Sequence, residues 1–327
     1  MAEPFDICVV AQAGRLSFEA VLFAASLREA SPDFAGELVV GEPQSGALWP
    51  DDPRMEPEAR DILTDLGATI LPFESRHFGA SYPNGNKVEM LAAMAPDRPF
   101  VFFDTDTLIL RDITSVPFDF DRPSASMVRE NTWPIVPLYG PSLSEIWQAV
   151  YERAGVDMSP SLDLEQPEEY WERHLYLNAG WFHYKCPHRF GTMMRDLMVS
   201  IRDDPPEELA CQSFNPWLDQ IALPAVITAL GGGRPNEALR RLDGEVSLHW
   251  RAMPLFYAKA NDAALAYLEQ VAAPNRIKKV LKQYEPFKRM IYQGRGARIR
   301  AMFDRENLPH REQAIRNQIK RANFWMR

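Results

Sequence analysis

The chain has 327 residues, of which 46% are hydrophobic and 25% charged, and its formal net charge at pH 7 is -9. This is an ordinary globular composition with ample apolar material for a large core, and the length allows one large domain or two modest ones. No stretch approaches the roughly 18 uninterrupted apolar residues of a membrane span. The acidic body argues against nucleic acid as a partner, because it would repel phosphates.

The cysteines and the N-terminus bear on the cellular compartment. Three cysteines, Cys8, Cys186 and Cys211, leave one over from any pairing and fit neither a zinc knuckle nor a disulfide framework. A reducing compartment follows. The first residues contain no basic segment leading into an apolar stretch, so we expect no signal peptide. We therefore expect a cytoplasmic protein that is soluble or at most attached to a surface.

The first half of the chain alternates strand and helix patterns. The predicted strands are 6–13, 37–41, 68–73 and 99–104, and the predicted helices are 18–30, 58–66 and one opened by Asn84-Gly85-Asn86. Runs such as 6–13 lack polar alternation, which is typical of strands buried on both faces of a parallel sheet. The alternation predicts a mostly parallel, doubly wound α/β sheet whose ligands bind beyond the carboxyl ends of the strands.

The second half is more mixed. It contains predicted strands at 124–128, 175–184 and 245–249, predicted helices at 143–154 and 216–230, and helical, basic sequence from 260 onward. Residues 276–327 carry 15 Lys+Arg and 4 Asp+Glu. The rest of the chain therefore carries 21 Lys+Arg and 41 Asp+Glu. An acidic body therefore bears a basic tail, which suggests a separate partner for the tail.

Two carboxylates, Asp104 and Asp106, follow the most apolar predicted strand. In a partly dry site they repel each other unless a cation neutralises them, and oxygen ligands suit Mg²⁺ or Mn²⁺. A simple turn is the alternative. Phosphotransferases of the haloacid-dehalogenase type also place an Asp-x-Asp after a strand. Here that pattern is off by one at Thr107, and three strands precede it.

Further short motifs flank this pair in a fixed order. They are Val10-Ala11-Gln12, Asn86-Lys87-Val88, Asp104-Thr105-Asp106, Tyr176-Leu177-Asn178-Ala179-Gly180, Trp217-Leu218-Asp219-Gln220 and Leu248-His249-Trp250. In these motifs, over about residues 6–255, the chain resembles GT-A-type glycosyltransferases. It is most similar to the retaining family that includes glycogenin and bacterial galactosyl- and glucosyltransferases of lipopolysaccharide synthesis.

The resemblance implies a GT-A-like, Rossmann-like sheet flanked by helices in residues 1–258 and a basic helical extension in 259–327. It implies a metal-dependent hexosyltransferase of polysaccharide biosynthesis. The enzyme would move a sugar from a nucleotide-diphosphate donor, specifically a UDP-sugar, to a glycan or lipid-linked acceptor, with retention. After His249 the chain departs from the family, because Trp250-Arg251-Ala252-Met253-Pro254 replaces its usual glycine and Lys-Pro-Trp.

The resemblance also assigns roles to individual residues. The implied ligands of Mn²⁺ or Mg²⁺ are Asp104, Asp106 and His249. The implied nucleotide and donor contacts are Ala11, Gln12, Lys87, Asp104, Thr105, Asn178, Ala179 and Gly180. The implied catalytic residues, beside the reacting carbon, are Asp219 and Gln220. Taken by position alone, His249 and Lys87 also have structural interpretations. His249 could be a hydrogen-bonded core histidine, and Lys87 could be a solvated surface lysine.

Two further alternatives to a glycosyltransferase and two uses of the tail stay open at this point. A GT-A-like module could bind a sugar or a partner without catalysis. A nucleotidyltransferase would require a Gly-rich basic loop after the first strand. This chain has only Gly14 and Arg15 there, which argues against that function. The basic tail suits either peripheral contact with the inner face of an anionic membrane or docking against the acidic body.

Overall fold

The computed structural model describes residues 4–96, 98–129 and 133–326. The strands are β1 (Asp6–Val10), β2 (Leu38–Pro43), β3 (Ala68–Phe73), β4 (Phe100–Phe103), β5 (Thr107–Ile109), β6 (Ser124–Ser126), β7 (Asn178–Tyr184) and β8 (Ser247–His249). The α-helices are α1 (Arg15–Ala30), α2 (Pro57–Asp65), α3 (Asn86–Ala93), α4 (Leu143–Arg153), α5 (Pro187–Asp203), α6 (Leu218–Ala229), α7 (Glu237–Arg240), α8 (Met253–Lys259), α9 (Asp262–Ala272), α10 (Asn275–Leu281), α11 (Glu285–Phe287), α12 (Arg295–Arg300) and α13 (Glu312–Arg321). A π-helical turn, Lys288–Tyr292, follows α11.

A six-stranded sheet with the order β3-β2-β1-β4-β7-β6 lies at the centre. The first four of these strands pair in parallel, whereas β7 runs antiparallel to both β4 and β6. Strands β5 and β8 form a separate antiparallel pair. The prediction of a mostly parallel α/β sheet is confirmed, and β7 is the strand that departs from it.

Alternate residues of the central strands face two different cores. Val9 and Phe103 pack into the core that contains α1, whereas Cys8 and Phe102 pack into the core that contains α3 and α5. All four side chains are buried. Both faces of the sheet are therefore covered, which explains why these strands show no polar alternation.

Some boundaries differ from the sequence predictions for physical reasons. Strand β1 stops at Val10, and α1 begins at Arg15 rather than at 18. Ser17 does not cap this helix, because its hydroxyl donates to the carbonyl of Gln12 from inside the first turn. Helix α5 was not predicted, although its apolar residues recur at helical spacing and pack into the core.

The basic C-terminal segment packs against the body of the protein. Its apolar side chains Ile277, Leu281, Phe287 and Ile319 are buried in the same core as α1. The apolar face of the C-terminal segment, which suited contact with a membrane surface, therefore lies inside the protein. Within the described ranges, no helix has the length and apolarity that crossing a membrane requires.

His183 on β7 is a buried histidine, and neither ring nitrogen has a hydrogen-bond partner among the residues that the structure describes. The rings of Phe118, Phe120 and Trp181 surround it. Burial lowers the pKa of His183 to about 3, because protonation would place a charge in an apolar site. The side chain is therefore neutral in the folded protein at physiological pH.

Because His183 is buried in its neutral form, we expect the folded protein to lose stability in acid. The folded-state pKa lies below the unfolded value of about 6.5, so the unfolded chain binds more protons between the two values. The contribution of neutral His183 to the free energy of unfolding is fully present above pH 6.5. It falls as the pH decreases, and the loss reaches about 2 kcal/mol at pH 5. His183→Leu should remove this loss in denaturant titrations at pH 8 and pH 5. Equal losses in both proteins would contradict the assignment.

Candidate functional site

The carboxyl edge of the central sheet brings together three distant segments. The chain turns directly after β4, where the amide of Asp104 donates to the carbonyl of Gly180 on β7 (2.9 Å). It then enters β5, whose pairing with β8 sets Thr107 opposite His249. The amide of Trp250 donates to the carbonyl of Asp106 (2.8 Å). Backbone pairing therefore holds the histidine beside the carboxylates.

Asp104, Asp106 and His249 form a compact cluster of three side chains. One ligand atom from each lies within 4.8 Å of the others. Nε2 of His249 is 3.0 Å from Oδ1 of Asp106 and 4.0 Å from Oδ2 of Asp104. Two carboxylate oxygens and one imidazole nitrogen form a donor set that suits Mn²⁺ or Mg²⁺. These residues fit a divalent ion.

The electrostatics of this cluster reflect the excess of negative charge. Burial lowers the pKa of His249, but Asp106 and Asp104 outweigh burial, so the pKa is raised. Burial and the Asp106 carboxylate raise the pKa of Glu19, on α1 below the cluster, to about 8. Arg15 lies 2.7 Å from Glu19 and 3.5 Å from Asp106. The site thus favours additional positive charge near Asp106.

Lys87 lies in the first turn of α3, and its side chain extends into the same site. Its ammonium lies 3.1 Å from Oδ1 of Asp104 and 3.0 Å from Oδ2 of Asp219. It also lies 5.6 Å from the centre of the Phe102 ring. Burial lowers its pKa, yet the two carboxylates outweigh burial and raise the pKa above its ordinary value. Lys87 is therefore a charged, buried bridge rather than a solvated surface lysine.

Asp219 and Gln220 open α6 and are each fixed by a tyrosine. The hydroxyl of Tyr82 donates to Oδ1 of Asp219 (2.9 Å) and accepts from the Asp219 amide (3.1 Å). The hydroxyl of Tyr176 donates to Oε1 of Gln220. Burial raises the pKa of Tyr176 to about 12, so its proton stays available for this bond. Both carboxylate oxygens of Asp219 are engaged, because Lys87 binds the other one.

One cavity of about 1100 Å³ joins these groups. Of the residues predicted for the site, it is lined by Lys87, Asp104, Thr105, Asp106, Asn178, Ala179, Asp219, Gln220 and His249. Ala11, Gln12 and Gly180 are not on its wall. Gln12 instead accepts a hydrogen bond from Asn86 (2.8 Å).

Gly180 does not line the cavity, but its lack of a side chain leaves room for His249. A Cβ at this position would lie 2.3 Å from Nδ1 of His249 and 3.0 Å from Oδ1 of Asn178. These distances are far inside van der Waals contact. The absence of a side chain at Gly180 therefore sets the position of the imidazole ring.

Gly180→Ala is expected to displace the His249 ring from its position beside Asp106. Displacing one member of a metal site should weaken Mn²⁺ binding about 10–100-fold, the effect of disturbing the residues that orient metal ligands. Paramagnetic resonance of free Mn²⁺ would measure this, with Gly46→Ala as the control, since nothing lies within 4 Å of a Cβ there. Equal Mn²⁺ affinity in both variants would contradict the steric role.

The sequence motifs gave no role to Glu19 or Tyr82, whereas Arg129 and Arg251 were weaker candidates than Lys87 for offsetting phosphate charge. Glu19 could have been found, because it is a carboxylate with apolar neighbours on α1, four residues after Arg15. Tyr82 gave no local signal, since its partner Asp219 is 137 positions away. Arg129 lines the cavity and stacks over Trp171 at 4.2 Å.

Arg251 also lines the cavity and has an unusual backbone. Its φ of 58° is in the left-handed region, which a non-glycine residue rarely adopts. The residue stands two positions after His249. Such conformations are concentrated at functional sites.

Solved structures similar to this chain include sugar-transferring enzymes. The galactosyltransferase LgtC in complex with donor and acceptor sugar analogs is 13% identical, with 95% of this chain and 100% of that chain covered and a TM-score of 0.44. An active-site mutant of LgtC is 13% identical, with 71% and 73% covered and a TM-score of 0.42. The apo structure of the bifunctional glycosyltransferase WbbM is 11% identical, with 86% and 52% covered and a TM-score of 0.39.

Comparison with curated protein sequences finds no match. A family model gives a direct assignment, because the Rhodobacterales glycosyltransferase domain matches residues 7–231. The match includes β1 to β4, the carboxylate pair and the Asp219–Gln220 pair, and it stops before His249. Since it covers more than half of the chain, the protein is a glycosyltransferase that belongs to the Rhodobacterales glycosyltransferase domain family.

Proposed function

We propose that this glycosyltransferase is metal-dependent and uses a nucleotide-diphosphate sugar, specifically a UDP-sugar. The observation that carries the proposal is the single cavity shared by the Asp104–Asp106–His249 cluster, Lys87 and Gln220. A divalent ion held by the three cluster residues would supply Lewis-acid stabilisation of the leaving diphosphate. The cluster geometry and the ligand chemistry both support this use.

Lys87 would offset charge on the same leaving group. Its ammonium is fixed between Asp104 and Asp219, so it needs little rearrangement to offset charge that develops on a phosphate. The first turn of α3 adds backbone N–H groups that favour anions. We assign Asp219 the role of positioning Lys87, because both of its oxygens are already hydrogen-bonded.

The sugar end of the donor is assigned to β7 and α6. Asn178 and Ala179 line the cavity beside Gln220. Since Oε1 of Gln220 already accepts from Tyr176, we assign its amide nitrogen to the donor sugar. The nucleoside end is assigned to the end of β1, where Val10, Arg15 and Leu16 form the wall. Transfer with retention to a glycan or lipid-linked acceptor completes the proposal.

The test is hydrolysis of a panel of nucleotide sugars with and without Mn²⁺. We expect UDP release from at least one UDP-sugar, dependent on the metal and accelerated by an acceptor glycan. A protein that binds sugars without catalysis would bind members of the panel but release no nucleotide. Failure to bind or hydrolyse any donor would overturn the proposal.

A further inference from the structure

The cavity has a wall that lies outside the family-matched residues 7–231. We call it the C-terminal wall, and its members are Lys259, residues 308–313, Ile315 and Arg316. It belongs to α8, to α13 and to the loop before α13. Ile315 and Ile319 of α13 are buried in the α1 core, so the helix is anchored and its polar first turn faces the cavity. This wall is a feature of the present chain that the family match does not cover.

The cavity carries more positive charge than a nucleotide sugar requires. Seven cationic side chains and four carboxylates of the described residues line it: Arg15, Lys87, Arg129, Arg251, Lys259, Arg311 and Arg316 against Asp104, Asp106, Asp219 and Glu312. A divalent ion in the Asp104–Asp106–His249 cluster would add to this excess. The diphosphate bridge of a donor carries only about two negative charges, one per phosphate.

The surplus is concentrated on the C-terminal wall. Glu312 binds two of its cations, with Lys259 at 2.7 Å and Arg316 at 2.6 Å. Arg311 is exposed, lines the cavity and directly precedes the first turn of α13. The N–H groups of a first helical turn have no partner within the helix and favour anions. Guanidinium and helix amides together suit a phosphate.

We propose that the C-terminal wall binds a phosphate group of the acceptor, separate from the donor diphosphate. The proposal rests on the proposed function, because it assumes that the metal cluster and Lys87 hold the donor. It narrows the acceptor to a phosphate-bearing glycan or a lipid-linked phosphate. The basic character of the C-terminal segment then has a purpose at the active site.

The test is calorimetric titration of glycerol 3-phosphate into the full-length protein saturated with UDP and Mg²⁺. Arg311→Gln is expected to weaken glycerol 3-phosphate binding about tenfold, as the loss of a charge-assisted hydrogen bond would. The matched control is Arg321→Gln, an exposed arginine on the same helix that is not on the cavity wall. This control should bind like the wild type, and UDP affinity should be equal in all three proteins.

Three results would overturn the proposal: no glycerol 3-phosphate binding to the UDP-loaded wild type, equal weakening in both variants, or weaker UDP binding in Arg311→Gln. The last result would assign the wall to the donor instead. If UDP does not bind at all, the proposed function fails separately. The two variants are then compared with Mg²⁺ alone, which still tests the phosphate site.

Discussion

Replacing Lys87 by methionine is expected to lower the free energy of unfolding by about 3–5 kcal/mol, the cost of leaving buried charge uncompensated. Methionine has a similar length, so the loss arises from charge rather than from volume. The Asp219 side chain is 3% exposed and the Asp104 side chain 31% exposed. Without the ammonium between them, these carboxylates repel each other, and Asp219 has almost no solvent to screen its charge. Urea titration at pH 7 measures the change.

The control for this prediction is Lys185→Met. Lys185 also pairs with an aspartate, Asp121 at 2.6 Å, but both side chains are at least half exposed. Exposed pairs contribute little to stability, so this variant should unfold like the wild type. The double variant Lys87→Met with Asp219→Asn should recover part of the lost stability. Equal unfolding midpoints for Lys87→Met and the wild type would contradict the buried bridge.

Asp106→Asn is expected to weaken Mn²⁺ binding at least about 100-fold while the protein stays folded. Loss of a group that merely orients a metal ligand already costs about 10–100-fold. Asp106 also holds its place through its backbone carbonyl, which accepts from Trp250, and this bond survives the substitution. Paramagnetic resonance of free Mn²⁺ measures the affinity, and circular dichroism measures the fold.

Asp121→Asn serves as the control for this second prediction, because its carboxylate lies on the surface in a single ion pair. Its Mn²⁺ affinity should match that of the wild type. A metal affinity that is the same in Asp106→Asn and in Asp121→Asn would remove the carboxylate pair from the metal site.

The sheet and the position of the carboxylate pair could be predicted because they depend on local patterns. Unbroken apolar runs such as Phe100–Phe103 indicate strands buried on both faces, and the carboxyl ends of parallel strands meet at one edge. Asp104 and Asp106 are therefore placed by sequence alone. His249 was assigned through family resemblance, and the pairing of β5 with β8 is what brings it to the carboxylates.

Contacts between distant residues could not be predicted, since no local pattern encodes them. Tyr82 and Asp219 are 137 positions apart, and their bond depends on how α6 approaches the loop before α3. The C-terminal segment is the second case. Its periodicity correctly predicts an apolar face, but periodicity does not distinguish a membrane from a protein surface. Only packing shows that Ile277 and Leu281 are buried in the α1 core.

Metal dependence is tested most directly by the release of UDP from a UDP-sugar after the metal has been removed with a chelator. We expect the wild type to lose its activity on chelation and to regain it on addition of Mn²⁺. Asp106→Asn should regain no activity at the same Mn²⁺ concentration. Turnover that persists in the chelated wild type, or that Mn²⁺ restores equally in Asp106→Asn, would contradict a metal-dependent transferase built on this carboxylate pair.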